Sequence, residues 1–223
     1  MGSVIIKVHP GTRLLLKGLL AAPLMVTAGC ATQSLGVAQE QGLGYRVAPK
    51  PWPVNRDRRV EVAEFFWYGC PACAAFEPVL KAWHAPKASA VVLRKLHPVA
   101  NPGWLAAAQL HASLLTMGIA NALSDRLYAA IHQQGAPLAS QADAIELAAS
   151  LGVDRAGIMS AWRAAQTRAH MDTAQQMARF FRVDGVPTLV VGGRWITSPK
   201  IAGGVKPLFR VLGQLVSLAG RSA

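Results

Sequence analysis

Cysteine is scarce in this chain of 223 residues, which contains only Cys30, Cys70 and Cys73. A structural zinc site usually needs four cysteine or histidine ligands, often arranged as closely spaced pairs. No cysteine follows Cys73, and the five histidines that do follow it lie at least 13 residues apart. Covalent haem attachment needs a histidine directly after a C-x-x-C pair, where this chain has Ala74. The sequence therefore disfavours both a zinc site and covalent haem.

Acidic residues are also few: 11 Asp and Glu stand against 23 Lys and Arg, which gives a formal net charge of +12. A basic surplus of this size can indicate a nucleic-acid or anionic-membrane partner. No block of five like charges occurs, and the densest basic patch is Arg56-Asp57-Arg58-Arg59. We therefore expect no nucleic-acid partner, whereas a solvated basic surface and a role at an anionic membrane both stay open.

The N-terminus lacks an apolar run long enough to cross a bilayer. After a basic stretch, Gly18–Gly29 has twelve residues without a charge, which is the length of the hydrophobic region of a signal peptide. Cys30 follows in the sequence VTAGC, which resembles a lipobox, so acylation of Cys30 and ordinary cleavage after Ala31 or Ala38 are both open. We expect residues 1–29 to be a signal peptide and the protein to be exported to the periplasm, where cysteines meet an oxidising environment.

Hydrophobic periodicity predicts an α/β domain that is interrupted by a helical insertion. Strand patterns at Arg59–Gly69 and Ala90–Val99 flank a predicted helix at Pro71–Lys87, which is typical of a βαβ unit with parallel strands. Five helices are expected between residues 103 and 181, followed by a strand, a Gly192-Gly193 turn, a second strand and a closing helix at Pro207–Leu218. We assign residues 30–53 to a linker, 54–101 and 182–223 to the α/β domain, and 102–181 to the insertion.

Within the insertion, three residues are expected to cap helices. Ser140 opens a capping box with Asp143, and Asp154 and Thr167 precede further helical patterns.

The stretch Cys70-Pro71-Ala72-Cys73 fits thiol–disulfide exchange better than a structural clip, because a four-residue loop constrains the unfolded chain little. The attacking species in exchange is a thiolate. The unpaired backbone N–H groups and the positive dipole end of a helix N-terminus favour that charge, and proline suits the first helical turn. We therefore predict an exposed Cys70 at the start of a helix and Cys73 almost one turn further along on the same side.

Two segments and the spacing between them resemble the DsbA-type thiol:disulfide oxidoreductases of the thioredoxin superfamily. The segments are VEVAEFFWYGCPAC at Val60–Cys73 and GVPTLVVGGRWITSPKIAGG at Gly185–Gly204, with a helical insertion of suitable length between them. The resemblance implies a thioredoxin-like fold and a dithiol oxidase that accepts electrons from newly exported proteins. It also implies reoxidation by a membrane quinone-linked partner of the DsbB type, with no metal or organic cofactor. We expect a monomer.

Site residues follow from the resemblance position by position. Cys70 matches the nucleophile and Cys73 its buried partner, while Val186 and Pro187 match a cis-proline loop that presents backbone groups to an extended substrate. Pro71 and Ala72 lie between the cysteines and are expected to contact substrate as well.

Glu64 matches a buried family acid that could relay the proton of Cys73, although a salt bridge at a strand end is an alternative interpretation. Its basic partner is either Lys95 or Arg94, depending on the strand register. His97 is expected to be structural, and Trp67, Tyr68 and Trp195 are candidates either for an apolar substrate surface or for core packing.

Ala72 departs from the family, whose typical dipeptide between the cysteines is Pro-His. The missing imidazole removes a stabiliser of the Cys70 thiolate, so we predict a less oxidising disulfide than in Pro-His members. A thioredoxin-like reductase or isomerase on the same fold is one alternative, although an isomerase normally needs a dimerisation domain. A copper-binding thioredoxin-like lipoprotein is another, although such proteins prefer C-x-x-x-C with a dedicated histidine.

Overall fold

The structure is a computed structural model that describes residues 42–54 and 59–221. The predicted signal peptide and Cys30 lie outside the described residues. In the described part of the chain, no helix is both long enough and apolar enough to span a membrane.

A five-stranded mixed sheet forms the centre of the α/β domain, with strand order β1-β5-β4-β2-β3. Its strands are β1 (Arg46–Val47), β2 (Val60–Phe65), β3 (Val91–Leu96), β4 (Thr188–Val191) and β5 (Trp195–Thr197). β2 and β3 are parallel, as the βαβ pattern predicts, and the other three pairs are antiparallel. β4 and β5 form the predicted hairpin, in which Gly192 and Gly193 take positive φ angles of 57° and 64°.

The described residues also contain eight α-helices. They are α1 (Pro71–His84), α2 (Leu105–Thr116), α3 (Ala120–His132), α4 (Gln141–Ser150), α5 (Arg155–Arg163), α6 (Ala165–Phe180), α7 (Pro199–Ala202) and α8 (Val205–Arg221). Short 3₁₀ turns at Ala85–Lys87 and Pro102–Trp104 follow α1 and precede α2. α2 to α6 are the five helices expected in the insertion.

Two of the three predicted caps are confirmed. Ser140 and Asp143 form a reciprocal capping box at α4, and Asp154 accepts a 2.6 Å hydrogen bond from the backbone N–H of Gly157 at α5. The Thr167 prediction is wrong, because α6 already begins at Ala165. The Thr167 hydroxyl instead donates to the carbonyl of Ala161, 2.6 Å away, and so ties α6 to α5.

The strand β1 was not predicted, because it is only two residues long and lies in a polar, proline-rich segment. Arg46 and Val47 pair with Ile196 and Trp195 of β5. Nearby, the backbone N–H of Trp52 donates to the carbonyl of Gly193, 2.8 Å away. Residues that the sequence placed in a linker therefore hydrogen-bond to the sheet.

β2 is the element that positions the candidate site, because both of its faces are buried. Val62 packs into an apolar cluster with α1 and α8, whereas Ala63 and Phe65 pack into a second cluster with α6. Directly after β2, Phe66 and Tyr68 enter a third cluster that contains most of the insertion's buried side chains. The segment that leads to Cys70 is therefore anchored in both the sheet and the helical insertion.

Candidate active site

Cys70 is the N-cap residue of α1, and its backbone is extended (φ −86°, ψ 116°). Pro71 occupies the first helical turn, where its missing N–H leaves no partner unsatisfied. The Cys70 sulfur accepts a hydrogen bond from the backbone N–H of Cys73 at 3.4 Å. The Cys70 thiol is half-exposed and the Cys73 thiol is buried, and both are free. This arrangement matches the prediction that one thiol is accessible and the other is shielded.

Just before Cys70, the indole of Trp67 lies unusually close to the backbone of Gly69. A Cβ atom at Gly69 would lie 2.4 to 2.9 Å from atoms of the Trp67 indole. Trp67 itself stacks on Trp104, with ring centroids 4.7 Å apart and planes 9° from parallel. Only glycine lets the indole lie this close to the backbone beside the thiol.

The loop between α6 and β4 lies beside Cys70. The Val186–Pro187 peptide bond is cis, as expected. The Cys70 thiol lies 3.8 Å from the carbonyl oxygen of Val186, with the S–H as donor. Pro187 is buried and Val186 half-buried, whereas Pro71 and Ala72, which follow Cys70 in the chain, are exposed.

Glu64 and Lys95 lie directly beneath this site on neighbouring parallel strands, where they are register partners. The Lys95 ammonium is 3.4 Å from a carboxylate oxygen of Glu64, and both side chains are buried. Arg94, the other candidate, reaches Glu61 instead, at 3.8 Å. The structure thus identifies Lys95 as the partner of Glu64.

The carboxylate of Glu64 is held in an environment that disfavours its charge. Burial raises the pKa of Glu64 to about 7, an effect that the nearby Lys95 only partly offsets. The 3.4 Å contact with Lys95 is an ion pair without hydrogen-bond geometry, and among the described residues no other group hydrogen-bonds to either carboxylate oxygen of Glu64. Burial also raises the pKa of the Cys73 thiol, and the negative charge of Glu64 contributes to that rise. Burial therefore makes both groups harder to ionise than they are in water.

The scan against family models matches residues 95–215 to the DSBA-like thioredoxin domain, which is more than half of the chain. The chain belongs to the DsbA-like thioredoxin-domain family. It is accordingly a thiol:disulfide oxidoreductase with a thioredoxin-like fold, as the sequence motifs predict.

Curated relatives extend this similarity over nearly the whole chain. A thiol:disulfide interchange protein DsbA of Azotobacter vinelandii is 30% identical over 205 residues, covering 92% of this chain and 96% of the relative. The DsbA of Bordetella parapertussis is 34% identical over 192 residues, covering 86% and 88%. These names agree with the predicted thiol:disulfide interchange function and favour neither the isomerase nor the copper-binding alternative.

Solved DsbA structures share the fold. The crystal structure of Pseudomonas aeruginosa DsbA superimposes with a TM-score of 0.75 at 28% identity, covering 80% of this chain and 93% of that one. The DsbA of Xylella fastidiosa gives a TM-score of 0.74 at 26% identity, with 81% and 96% covered.

In this DsbA-like chain, Glu77 is a further buried acid that the sequence reading missed. It lies one turn after Cys73 on α1 and forms a salt bridge with Lys95. Although burial opposes its charge, Lys95 and a 2.5 Å hydrogen bond from Ser124 outweigh burial and lower the pKa of Glu77. The i, i+4 spacing of Glu77 and Lys81 was the available signal, but it predicts only a surface ion pair.

Lys95 thus contacts two carboxylates whose pKa values shift in opposite directions, up for Glu64 and down for Glu77. Its ammonium also lies 4.6 Å from the ring centre of Phe66 and 5.6 Å from that of Tyr128. Since Glu77 stays ionised, it balances the Lys95 charge, and Glu64 can bind a proton without leaving a buried cation unpaired.

Two histidines, His97 and His111, are buried near Tyr68, close to the candidate site. The ring nitrogen Nε2 of His111 donates to the carbonyl of Lys95 (3.3 Å), so Nδ1 is left to accept from the Tyr68 hydroxyl (3.0 Å). His97 Nε2 lies 3.4 Å from the backbone N–H of Tyr68 and accepts from it. Burial lowers the pKa of His97 to about 3 and that of His111 well below its usual value, so both rings are neutral. His97 is structural, as expected.

The three aromatic candidates have different surroundings. Tyr68 is buried in the core and cannot line a substrate surface. Trp195 packs, half-buried, against the cluster shared by α1 and α8. Trp67 remains half-exposed next to the site, and Leu105, beside its partner Trp104, is 49% exposed.

Proposed function

We propose that this chain donates a Cys70–Cys73 disulfide to newly exported proteins that carry free cysteines. The observation that carries this proposal is the placement of the half-exposed Cys70 thiol at the N-cap of α1, with the Cys73 thiol buried behind it. An accessible sulfur at a helix N-terminus is suited to exchange, because the dipole and the free N–H groups stabilise it as a thiolate.

Exchange on this geometry takes two steps. A substrate thiolate attacks the Cys70 sulfur of the oxidised chain, a substrate–Cys70 bond forms, and the Cys70–Cys73 bond breaks with its electron pair on Cys73. A second substrate thiolate then attacks the substrate sulfur of this mixed disulfide and releases Cys70 as a thiolate. The substrate dithiol loses two electrons and two protons, and the chain gains them as its dithiol.

Glu64 supplies the proton that Cys73 needs in the first step. A thiolate at Cys73 is costly because the group is buried, and burial raises its pKa. With a pKa of about 7, Glu64 holds a proton in a substantial fraction of molecules near neutral pH. The salt bridge with Lys95 fixes the position of the acid.

Substrate recognition uses the backbone beside Cys70. Val186 presents its carbonyl 3.8 Å from the Cys70 sulfur, and Pro187 fixes the loop that carries it. An extended polypeptide can pair with this loop while its cysteine reaches Cys70, which is binding by strand addition. Pro71 and Ala72 are exposed next to Cys70 in the chain and are available to contact the same substrate.

The cycle closes outside this chain, by transfer of the two electrons to a DsbB-type membrane quinone oxidoreductase. We place the protein in the periplasm as a monomer, exported by residues 1–29 and, if acylated, tethered through Cys30. The thioredoxin-like domain then comprises residues 54–101 and 182–223 together with β1 (Arg46–Val47), and residues 102–181 are its helical insertion. The redox-active disulfide is the only redox group that the reaction needs.

Trapping distinguishes the two cysteines. Oxidised wild-type chain is mixed with a reduced, unfolded protein substrate that has two cysteines, and formation of the substrate disulfide is followed by mass spectrometry. Cys73→Ser, activated as a mixed disulfide with glutathione, should accumulate a stable substrate–Cys70 adduct with a single-cysteine version of the substrate, which has no second thiol to release Cys70, whereas Cys70→Ser treated in the same way should not. Adducts through Cys73 would contradict the assignment.

The direction of electron flow is tested by equilibrating the Cys70–Cys73 pair with glutathione. A potential towards about −120 mV indicates a disulfide donor, and one near about −270 mV indicates a thioredoxin-like reductase.

A further inference from the structure

The positive charge of this chain is divided unequally between its parts. The insertion, residues 102–181, contains five arginines and five acidic residues, so its formal charge is zero. Residues 185–223 contain five basic residues and no acid at all. Of the described acids in the α/β domain, Glu61, Glu64 and Glu77 are buried, which leaves Asp184 as the exposed one. The surface of this domain is therefore strongly basic.

α8 concentrates part of this charge on one side. Its buried side is formed by Leu208, Val211, Leu212, Leu215 and Ala219. Lys206, Arg210 and Arg221 lie on the opposite, exposed side, and Lys200 of the adjoining α7 is exposed as well. We call these four residues the basic face. A 17-residue helix is about 25 Å long, so the charges are spread along an extended surface.

The stability of the fold does not explain why Lys206 and Arg210 are basic. Among the described residues, none of its four side chains forms a salt bridge. Lys206 and Arg210 are spaced i, i+4, where like charges weakly destabilise a helix. Lys200 and Arg221 lie in the last turns of their helices, where a positive charge is favourable, but Lys206 and Arg210 have no such position. The charges of Lys206 and Arg210 are therefore available to an external anionic surface.

Exposed apolar side chains lie beside the basic face. Phe209 of α8 stacks on Phe76 and Trp83 of α1, with ring centroids 5.7 and 6.1 Å apart, so the two helices are neighbours. Val205 at the start of α8 is 42% exposed and Val79 of α1 is 40% exposed. The surface thus combines unpaired cations with accessible hydrocarbon.

We propose that the basic face, together with the exposed side of α1 next to it, binds the surface of an anionic phospholipid bilayer. Headgroup phosphates attract the ammonium and guanidinium groups, and the exposed valines enter the interfacial region. The biological placement rests on the proposed function, since a bilayer bounds the compartment of an exported oxidase. Binding would hold α1, and with it Cys70 at its N-terminus, close to a membrane-embedded oxidant.

Vesicle co-sedimentation of the full chain tests this surface. Wild type is compared on vesicles with 30% phosphatidylglycerol and on pure phosphatidylcholine, at low and high salt. Each basic residue near an anionic surface contributes about 1 kcal/mol, so Lys206→Gln/Arg210→Gln should bind the anionic vesicles about 30-fold more weakly. The matched control, Arg126→Gln/Arg163→Gln, changes the net charge equally at exposed positions of the insertion and should bind like wild type.

Several results would overturn the proposal. Equal loss of binding in both variants would indicate a general charge effect. Equal binding of wild type to both kinds of vesicle would show that the lipid charge does not matter. The third such result is binding to polyglutamate but not to vesicles. The last result would indicate an acidic protein partner instead. Oxidation of a soluble dithiol substrate is measured separately without vesicles and should be the same in both variants, so failure of the enzymatic function is distinguishable from failure of membrane binding.

Discussion

The Glu64 carboxylate lies 3.4 Å from the ammonium group of Lys95, on an adjacent parallel strand, and both side chains are almost completely buried. This pair lies beneath the buried thiol, Cys73. Since Glu77 also forms a salt bridge with Lys95, the Lys95 ammonium contacts two acids, only one of which must be ionised to balance it. Glu64 can therefore take up or release a proton near neutral pH while the Lys95 charge stays balanced.

Replacing Glu64 with Gln should remove a pH-dependent cost to stability. The folded pKa of about 7 lies above the ordinary value of 4.5, so the folded state binds the extra proton between these pH values, and wild type loses stability as pH rises through that window. Relative to wild type, Glu64→Gln should gain up to about 3 kcal/mol between pH 4.5 and 8. Urea unfolding of the dithiol form at both pH values measures the change, and a difference that is independent of pH would contradict it.

His97 should have the opposite effect at acid pH. Its folded pKa of about 3 lies below the ordinary value of 6.5, so the unfolded state binds the proton first and stability falls as pH drops from 6.5 towards 3. In His97→Gln, the slope of unfolding free energy against pH should decrease by up to about 1.4 kcal/mol per unit in this range.

The matched control for His97 is Phe66→Leu. Phe66 packs against the His97 ring with centroids 5.1 Å apart but carries no proton that titrates. This variant should be less stable at every pH with an unchanged slope. If both variants flatten the slope equally, the acid sensitivity does not come from His97.

Two neighbouring residues of α3 should differ sharply in their effect on stability. Ser124 donates to the buried Glu77 carboxylate at 2.5 Å, so Ser124→Ala should cost about 1–3 kcal/mol by leaving a buried charge underpaired. Asp125 forms a 2.7 Å ion pair with Lys81, but its side chain is 67% exposed, and Asp125→Ala should cost less than about 1 kcal/mol. Denaturant unfolding of both variants measures this, and equal losses would refute the buried contact.

Restoring a histidine between the cysteines should make the disulfide more oxidising. In Ala72→His, an imidazolium beside Cys70 would stabilise the thiolate and hence the reduced form. We expect the glutathione equilibrium to shift at least about tenfold, which corresponds to about 30 mV. The absorbance of the thiolate at 240 nm should also appear at lower pH.

Ala75→His is the control for this substitution, because Ala75 is exposed on α1 about one turn further from Cys70. It should leave the potential near the wild-type value. An equal shift in both variants would point to a general charge effect on α1, and no shift in either would remove Ala72 as a determinant of the potential.

Local sequence patterns were sufficient to predict the elements whose structure depends only on residues nearby in the chain. The βαβ unit, the capping box of Ser140 and the Gly192-Gly193 turn each depend on residues within a few positions, and all three are confirmed. β1 was missed because a two-residue strand has no period to detect. Thr167 was misassigned because its hydroxyl reaches the carbonyl of Ala161 in the preceding helix rather than an N–H of its own helix.

The sequence by itself determined the chemistry, because Cys70 and Cys73 lie within one helical turn and need no distant contact to act as a pair. Only the tertiary structure decided which groups surround them. The strand register chose Lys95 over Arg94, since adjacent residues of a strand point to opposite faces. The fold also brought Val186 next to Cys70 across 116 residues, and such long-range contacts are set by the packing of whole elements rather than by any pattern along the chain.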